Sequence, residues 1–189
     1  MADLTTLANA KQWLGITGST DDVMLTRLVS ASSDYITMWL GRDITLQTYN
    51  SYRDGIPGSM MVLRNYPVVS VSTVTIDGSP VPAAVYPSAG AAPSPGFIFD
   101  NYSIMLVGGV YAFTRGFQNI YFSYQAGYST IPTEIEQAAL ELVGMRYKER
   151  DRIGMVSKAI GGETTTYSQK DISDSIETTL SNYRRVMQP

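Results

Sequence analysis

Apolar positions recur at spacings of three and four near both ends of the chain and at a spacing of two in its middle. In 4–14, Leu4, Leu7, Ala8 and Leu14 form an inward set, with Thr5 or Thr6 as N-cap and Gly15 as the stop, which predicts a short helix. After the polar loop 17–22, Leu25, Leu28, Val29, Ser32, Tyr35, Ile36, Trp39 and Leu40 continue the helical period up to Gly41. Asp21 and Asp22 stand where carboxylates favour the positive end of that helix. A third helix begins at Pro132. Its stripe is Ile135, Ala138, Ala139, Leu142 and Val143, and Thr133 with Glu136 reads as a capping box. A fourth carries Ile172, Ile176, Leu180 and Tyr183 on one face, with Asp174 and Glu177 at capping spacing. Alone it is marginal and needs the protein body or a partner to cover its apolar face.

Between these helices the period changes. Ile44, Leu46 and Thr48 alternate with Thr45, Gln47 and Tyr49, and Asp54-Gly55 with Pro57-Gly58 predicts a turn to a paired strand at 60–63. The run 68–76 ends in Asp77-Gly78, a strong hairpin signal. Residues 80–96 hold five prolines, so ladder donors are missing repeatedly and a loop is expected, either a surface insertion or a contact arm for a neighbouring subunit. Strand patterns resume at 97–99, 104–107 and 119–125, and together the segments suggest a small antiparallel sandwich or barrel. The fold class is therefore α+β. A small helical bundle, built from two N-terminal helices and the C-terminal helices, carries an inserted antiparallel β module and an extended C-terminal arm. The divisions are 1–43 for the N-terminal helices, 44–130 for the β module, 131–153 for the core helix and 154–189 for the arm.

Composition supports this plan and narrows the chemistry. Residues 61–130 contain all five phenylalanines and seven of the thirteen tyrosines but only Arg64, Asp77, Asp100 and Arg115 as charged side chains, which fits a β-rich middle. With 189 residues, 44% of them hydrophobic, the chain can bury a substantial core without staples. It has no cysteine and no histidine, which excludes disulfides and thiolate metal sites and removes the usual general base at neutral pH. A net charge of −3 argues against affinity gained by neutralising many phosphates. No stretch reaches membrane-span length and no secretory leader is evident, so a soluble cytoplasmic protein with no cofactor and no metal is expected.

The remaining features read as structure. Gly108-Gly109-Val110-Tyr111 lacks the spacing, following helix and Lys-Ser/Thr of a phosphate loop. Asp54 and Asp100 sit in turn contexts, where aspartate bonds its own backbone, and no spacing supports a hydrolase built on paired carboxylates. Trp13 and Trp39 read as helix anchors. Arg146, Lys148, Glu149, Arg150, Asp151 and Arg152 form a mixed-sign run at a helix exit. The segment 154–170, GMVSKAIGGETTTYSQK, is longer than ordinary connections between helices, as functional or disordered segments usually are.

In order and spacing, the chain resembles the head–tail connector, or adaptor, proteins of long-tailed bacteriophages. The resemblance is carried by LTTLANAKQWLG from Leu4, TDDVMLTRLV from Thr20, Leu40-Gly41-Arg42, YPVVSV from Tyr66 and YQAGY from Tyr124. Ile131-Pro132, Arg152-Ile153-Gly154, Gly161-Gly162-Glu163-Thr164, Tyr167-Ser168 and Tyr183-Arg184-Arg185 complete it. It implies a non-enzymatic subunit of a homo-oligomeric ring, about a dozen copies forming a dodecamer in the virion, docked on the portal protein. That ring would extend the DNA channel, let DNA pass without specific binding and offer a platform to a further connector or tail-completion protein. The implied location is the host cytoplasm during assembly and then the virion neck, with no membrane. The arm supplies the portal-contact candidates Lys158, Thr164, Thr165, Thr166, Tyr167, Tyr183, Arg184 and Arg185, and the subunit-interface candidates are Arg146, Arg150 and Arg152. A carbohydrate- or surface-binding β module on a helical scaffold is the other reading, motivated by the tyrosine-rich middle.

Overall fold

The computed structural model describes residues 3–88, 90–150 and 172–184, and the backbone of 157–160 and 163–166. The chain divides into two compact units, 1–42 with 131–189, and 43–130.

The first unit is helical. Its helices are α1 (Leu7–Leu14), α2 (Asp22–Leu40), α3 (Thr133–Glu149) and α4 (Asp174–Ser181). α1 starts where the Thr6 hydroxyl accepts the Asn9 N–H at 3.2 Å. It stops at Gly15 with φ 70°, and α2 stops at Gly41 with φ 68°, a left-handed conformation that glycine adopts without strain. Ala10 of α1, Leu25 and Val29 of α2 and Val143 of α3 form one buried cluster, with Leu7, Leu14, Leu28 and Leu140 packed around it. The stripe expected on α3 is the buried one: Ile135, Ala138, Ala139, Leu142 and Val143 are all inaccessible.

The caps differ from expectation at α3 and α4. α3 starts at Pro132 with no side-chain cap, and Glu136 does not reach back to the helix end. It accepts instead from Asn9 Nδ2 at 2.6 Å and Thr5 Oγ1 at 3.2 Å, so a carboxylate placed near the positive end of α3 ties down the start of the chain. Asp21, at the head of α2, makes no cap bond either; it accepts the Tyr147 hydroxyl at 2.6 Å. At α4 the cap is Ser173, whose hydroxyl accepts the Ile176 N–H at 3.4 Å, in place of the Asp174–Glu177 pair.

The second unit is a β sandwich. One sheet has the order β1-β7-β3-β4 and the other β2-β6-β5, where β1 is Gln47–Gly55, β2 Met60–Val62, β3 Val68–Ile76, β4 Ser79–Val81, β5 Gly96–Phe99, β6 Ser103–Val107 and β7 Gly116–Ala126. All the pairings between these strands are antiparallel. Inward residues of both sheets, among them Val74, Phe97, Ile104, Leu106, Ile120, Phe122 and Tyr124, share one core. Phe113 meets Phe122 edge-on at 6.1 Å between ring centroids. The Asp77-Gly78 hairpin is present, with Asp77 at φ 51° and Gly78 at φ 78°, joining β3 to the edge strand β4, where Pro80 is tolerated.

The predicted pairing of β1 with β2 does not form. β1 pairs with β7, β2 pairs with β6, and the connection between them crosses from one sheet to the other. At the crossing Gly55 lies close against the Thr114 carbonyl, where a Cβ would clash, and Gly58 then pairs with Phe113. Alternation alone could not distinguish a hairpin from a sheet-to-sheet crossover. Of the proline-rich stretch expected as a loop, 80–81 belong to β4 and 96 begins β5; the part between is a loop tied at its base, where the Ala84 and Phe97 N–H groups bond the Phe97 and Pro82 carbonyls.

Asp100 does the turn work expected of it. Its Oδ1 accepts the N–H groups of Tyr102 at 2.7 Å and Ser103 at 2.6 Å, and its Oδ2 accepts the Ser103 hydroxyl at 3.1 Å. These bonds, first the one from Tyr102, hold the carboxyl below its ordinary value of 3.8. A folded value below the unfolded one adds stability that is complete above the unfolded value and is lost as pH falls through the folded one. The stability difference between the parent and Asp100→Asn is therefore expected to be flat from about pH 5 to 7 and to shrink below about pH 4. Denaturant unfolding followed across that pH range measures it.

Candidate assembly surface

Two paired strands lie within the expected arm. Following α3, β8 (Ser157–Ile160) and β9 (Glu163–Thr166) pair antiparallel, with Ser157 opposite Thr166 and Ile160 opposite Glu163. Gly161-Gly162 separates the two strands in sequence, a hairpin signal inside what composition marks only as a long connection. Lys158 lies on β8, and Thr164, Thr165 and Thr166 lie on β9. Among the described residues the two strands form a sheet of their own.

Beyond the hairpin the chain returns to the helical body. α4 packs on α3, with Ile176 and Leu180 fully buried, so the body itself covers the apolar face that the sequence left without a partner. Contacts from Arg42, Tyr183 and Arg184 hold its end. Arg42, itself 6% exposed, donates from Nε to the Tyr183 carbonyl at 2.9 Å. The Tyr183 hydroxyl donates to Glu134 at 2.7 Å, and the Arg184 guanidinium lies 5.1 Å from the centroid of the Trp39 ring. Tyr183 and Arg184 are thus engaged within the subunit, anchoring the far side of the hairpin. Tyr167, Arg185 and Arg152 lie outside the described residues.

The two remaining arginines also make intrachain contacts. Arg146 sits 5.1 Å from the centroid of the Tyr35 ring and donates to Ser32 at 3.4 Å, which ties α3 to α2. Arg150 lies 4.4 Å from the centroid of the Tyr147 ring and 3.7 Å from Asp21. The Tyr147 hydroxyl is raised above its ordinary value, chiefly because it donates to Asp21. Arg42 and Glu136 are the long-range ties that pattern reasoning missed. An arginine just after a helix-ending glycine reads as an ordinary dipole-matched cation, and nothing local shows that its partner lies 141 residues away.

Carboxylate chemistry finds little support in this geometry. The open groove between α3 and α4 is lined in part by Glu134 and Glu141, but Glu134 is bonded to Tyr183 and Glu141 accepts Gln137 at 3.0 Å. Among the described residues no cluster of His, Cys, Asp or Glu could hold a metal ion, and no described helix is long and apolar enough to cross a membrane. The tyrosines of the β unit divide: Tyr124 is in the core and Tyr49 and Tyr111 pack against it, while Tyr52 and Tyr121 pair at 4.8 Å with Tyr52 exposed.

A family model described as Head completion protein matches residues 3–186. The chain belongs to the head completion protein family. Membership makes it a structural protein of the phage head–tail connector and not an enzyme. Solved structures share the fold across nearly its whole length. A chain from the neck of an empty gene transfer agent (GTA) particle computed with C6 symmetry is 16% identical with a TM-score of 0.60. A chain from the virion of the native gene transfer agent is 17% identical with a TM-score of 0.60. One from the neck of the native GTA particle computed with C12 symmetry is 15% identical with a TM-score of 0.59. In each case 97% of this chain and 90% of the other are covered. No curated protein matches the chain in sequence.

The Arg42 tie gives this head completion protein a testable feature. Arg42→Met keeps the apolar stem and removes the donor, and a charge-assisted hydrogen bond contributes about 1.5–3 kcal/mol. Amide exchange at Ile176 and Leu180 is expected to speed up by roughly 10- to 100-fold while α1 and α2 amides keep their protection. Unchanged exchange in α4 would show that its apolar face alone holds it.

Proposed function

We propose that copies of this subunit, present in the host cytoplasm during assembly, form a ring of about a dozen in the virion neck. The ring docks coaxially on the portal, extends the DNA channel and presents its far side to a further connector or tail-completion protein. The β8–β9 hairpin, with Lys158, Thr164, Thr165 and Thr166, is the portal-contacting element, and Arg146, Arg150 and Arg152 serve the subunit boundary.

The observation that carries this reading is the hairpin between two helices that pack on each other. A two-stranded hairpin is marginal in water by itself, and strand edges add readily to strands of another chain. With α3 before it and α4 after it secured to the body, ordering the hairpin on a partner costs less than ordering a free tail. Further support comes from the symmetric necks that contain the similarly folded GTA chains, and from a net charge of −3, which suits a wall past which DNA must slide.

Replacing 157–166 with a Gly/Ser linker of equal length leaves α4 in place. The expected result is loss of binding to assembled portal, at least tenfold in affinity, with the helical unfolding transition unchanged. Full portal binding by this variant would remove the hairpin from the contact.

A further inference from the structure

α2 has an outer face that the ring reading does not use. At 3.6 residues per turn, Val23, Arg27, Ala31, Asp34 and Met38 fall in one narrow stripe opposite the buried Leu25, Val29, Ile36 and Leu40. All five are exposed, and the two apolar ends strongly so, Val23 at 77% and Met38 at 75%. Lys11 pairs with Asp22 and Arg150 with Asp21, whereas Arg27 and Asp34 make no ion pair among the described residues. Within their own helix they stand seven residues apart, about 10 Å along the axis, too far to meet each other.

The order of these side chains is self-complementary. Val23 and Met38 lie equally far from a midpoint between Ser30 and Ala31, and so do Arg27 and Asp34. We propose that this face of α2 docks on the same face of a second copy, antiparallel and about a two-fold axis passing near Ala31. Val23 of each copy then covers Met38 of the other, and Arg27 of each meets Asp34 of the other, giving two apolar and two ionic cross-pairs in one contact. Ser30 and Ala31 at the centre have short side chains and let the helices approach.

Charge selects this arrangement over its alternatives. A parallel pairing in register would set Arg27 against Arg27 and Asp34 against Asp34, an unfavourable juxtaposition. The stripe is about 22 Å long, so the contact is small and the association weak and reversible. It also stands apart from the ring: a two-fold contact uses one patch twice and closes after two copies, whereas a ring needs two unlike faces. The dimer is accordingly a state of the free subunit.

Analytical ultracentrifugation of the full chain up to roughly millimolar concentration tests this, alongside Arg27→Asp, Asp34→Arg and the double exchange. These positions are exposed, so the fold is expected to tolerate all three variants. A monomer–dimer equilibrium is expected, weakened at least tenfold by each single reversal and restored to within about threefold by the double exchange, with added salt also weakening it. A chain that stays monomeric throughout overturns the proposal. So does a dimer indifferent to the single reversals, or one that the double exchange fails to restore. Portal binding measured on the same variants is expected to be unchanged, so the outcome is read independently of the ring assignment.

Discussion

Everything in the helical unit depends on burying one side of α3. Ile135, Leu142 and Val143 are wholly inaccessible and Ala138 and Ala139 nearly so, and burial of each larger side chain contributes about 1.5–3 kcal/mol. The chain leaves the helical unit after Arg42, builds a separate β sandwich with its own core, and re-enters at α3. Without that stripe, α1 and α2 would have too little apolar surface to fold against, and α4, only eight residues long, would have nowhere to dock. Glu136 and Arg42 reinforce the arrangement with polar ties, one to the start of α1 and one to the end of α4.

That dependence gives the hairpin its setting. β8 and β9 are inserted between the helix that organises the unit and a helix that is docked on it. The expected arm is therefore tethered at its far end: Ile176 and Leu180 are in the core, and Tyr183 and Arg184, expected to seek a portal, have partners in their own subunit. For a head completion protein this divides the labour simply. In the proposed assembly the helical body keeps its geometry, and the short element between fixed points meets another chain.

Much of the architecture was legible because local patterns repeat many times over. The α2 and α3 stripes, the Gly15 and Gly41 stops and the Asp77-Gly78 hairpin each rest on residues close together in sequence, and each is found as read. What pattern could not show was pairing over distance. Thr133 and Glu136 had the spacing of a capping box, but Asn9, 127 residues earlier, offered Glu136 a 2.6 Å bond that the local cap did not match. β1 and β2 had the spacing of a hairpin, but β1 pairs with β7 and β2 with β6, partners that no local signal names. The 154–170 connection was marked by its length, and its Gly161-Gly162 signal was diluted by flanking threonines and serines. For the candidate surface, composition excluded much enzymology, yet the intrachain roles of Arg146 and Arg150 required knowing that Tyr35, Ser32 and Asp21 lie beside them.

The central claim is that this subunit forms a ring on the portal. Electron-microscopic imaging of the purified chain mixed with assembled portal tests it most directly. The account predicts added density in a ring coaxial with the portal, with an open central channel. Portal particles without added density, or with copies bound off-axis, would contradict it.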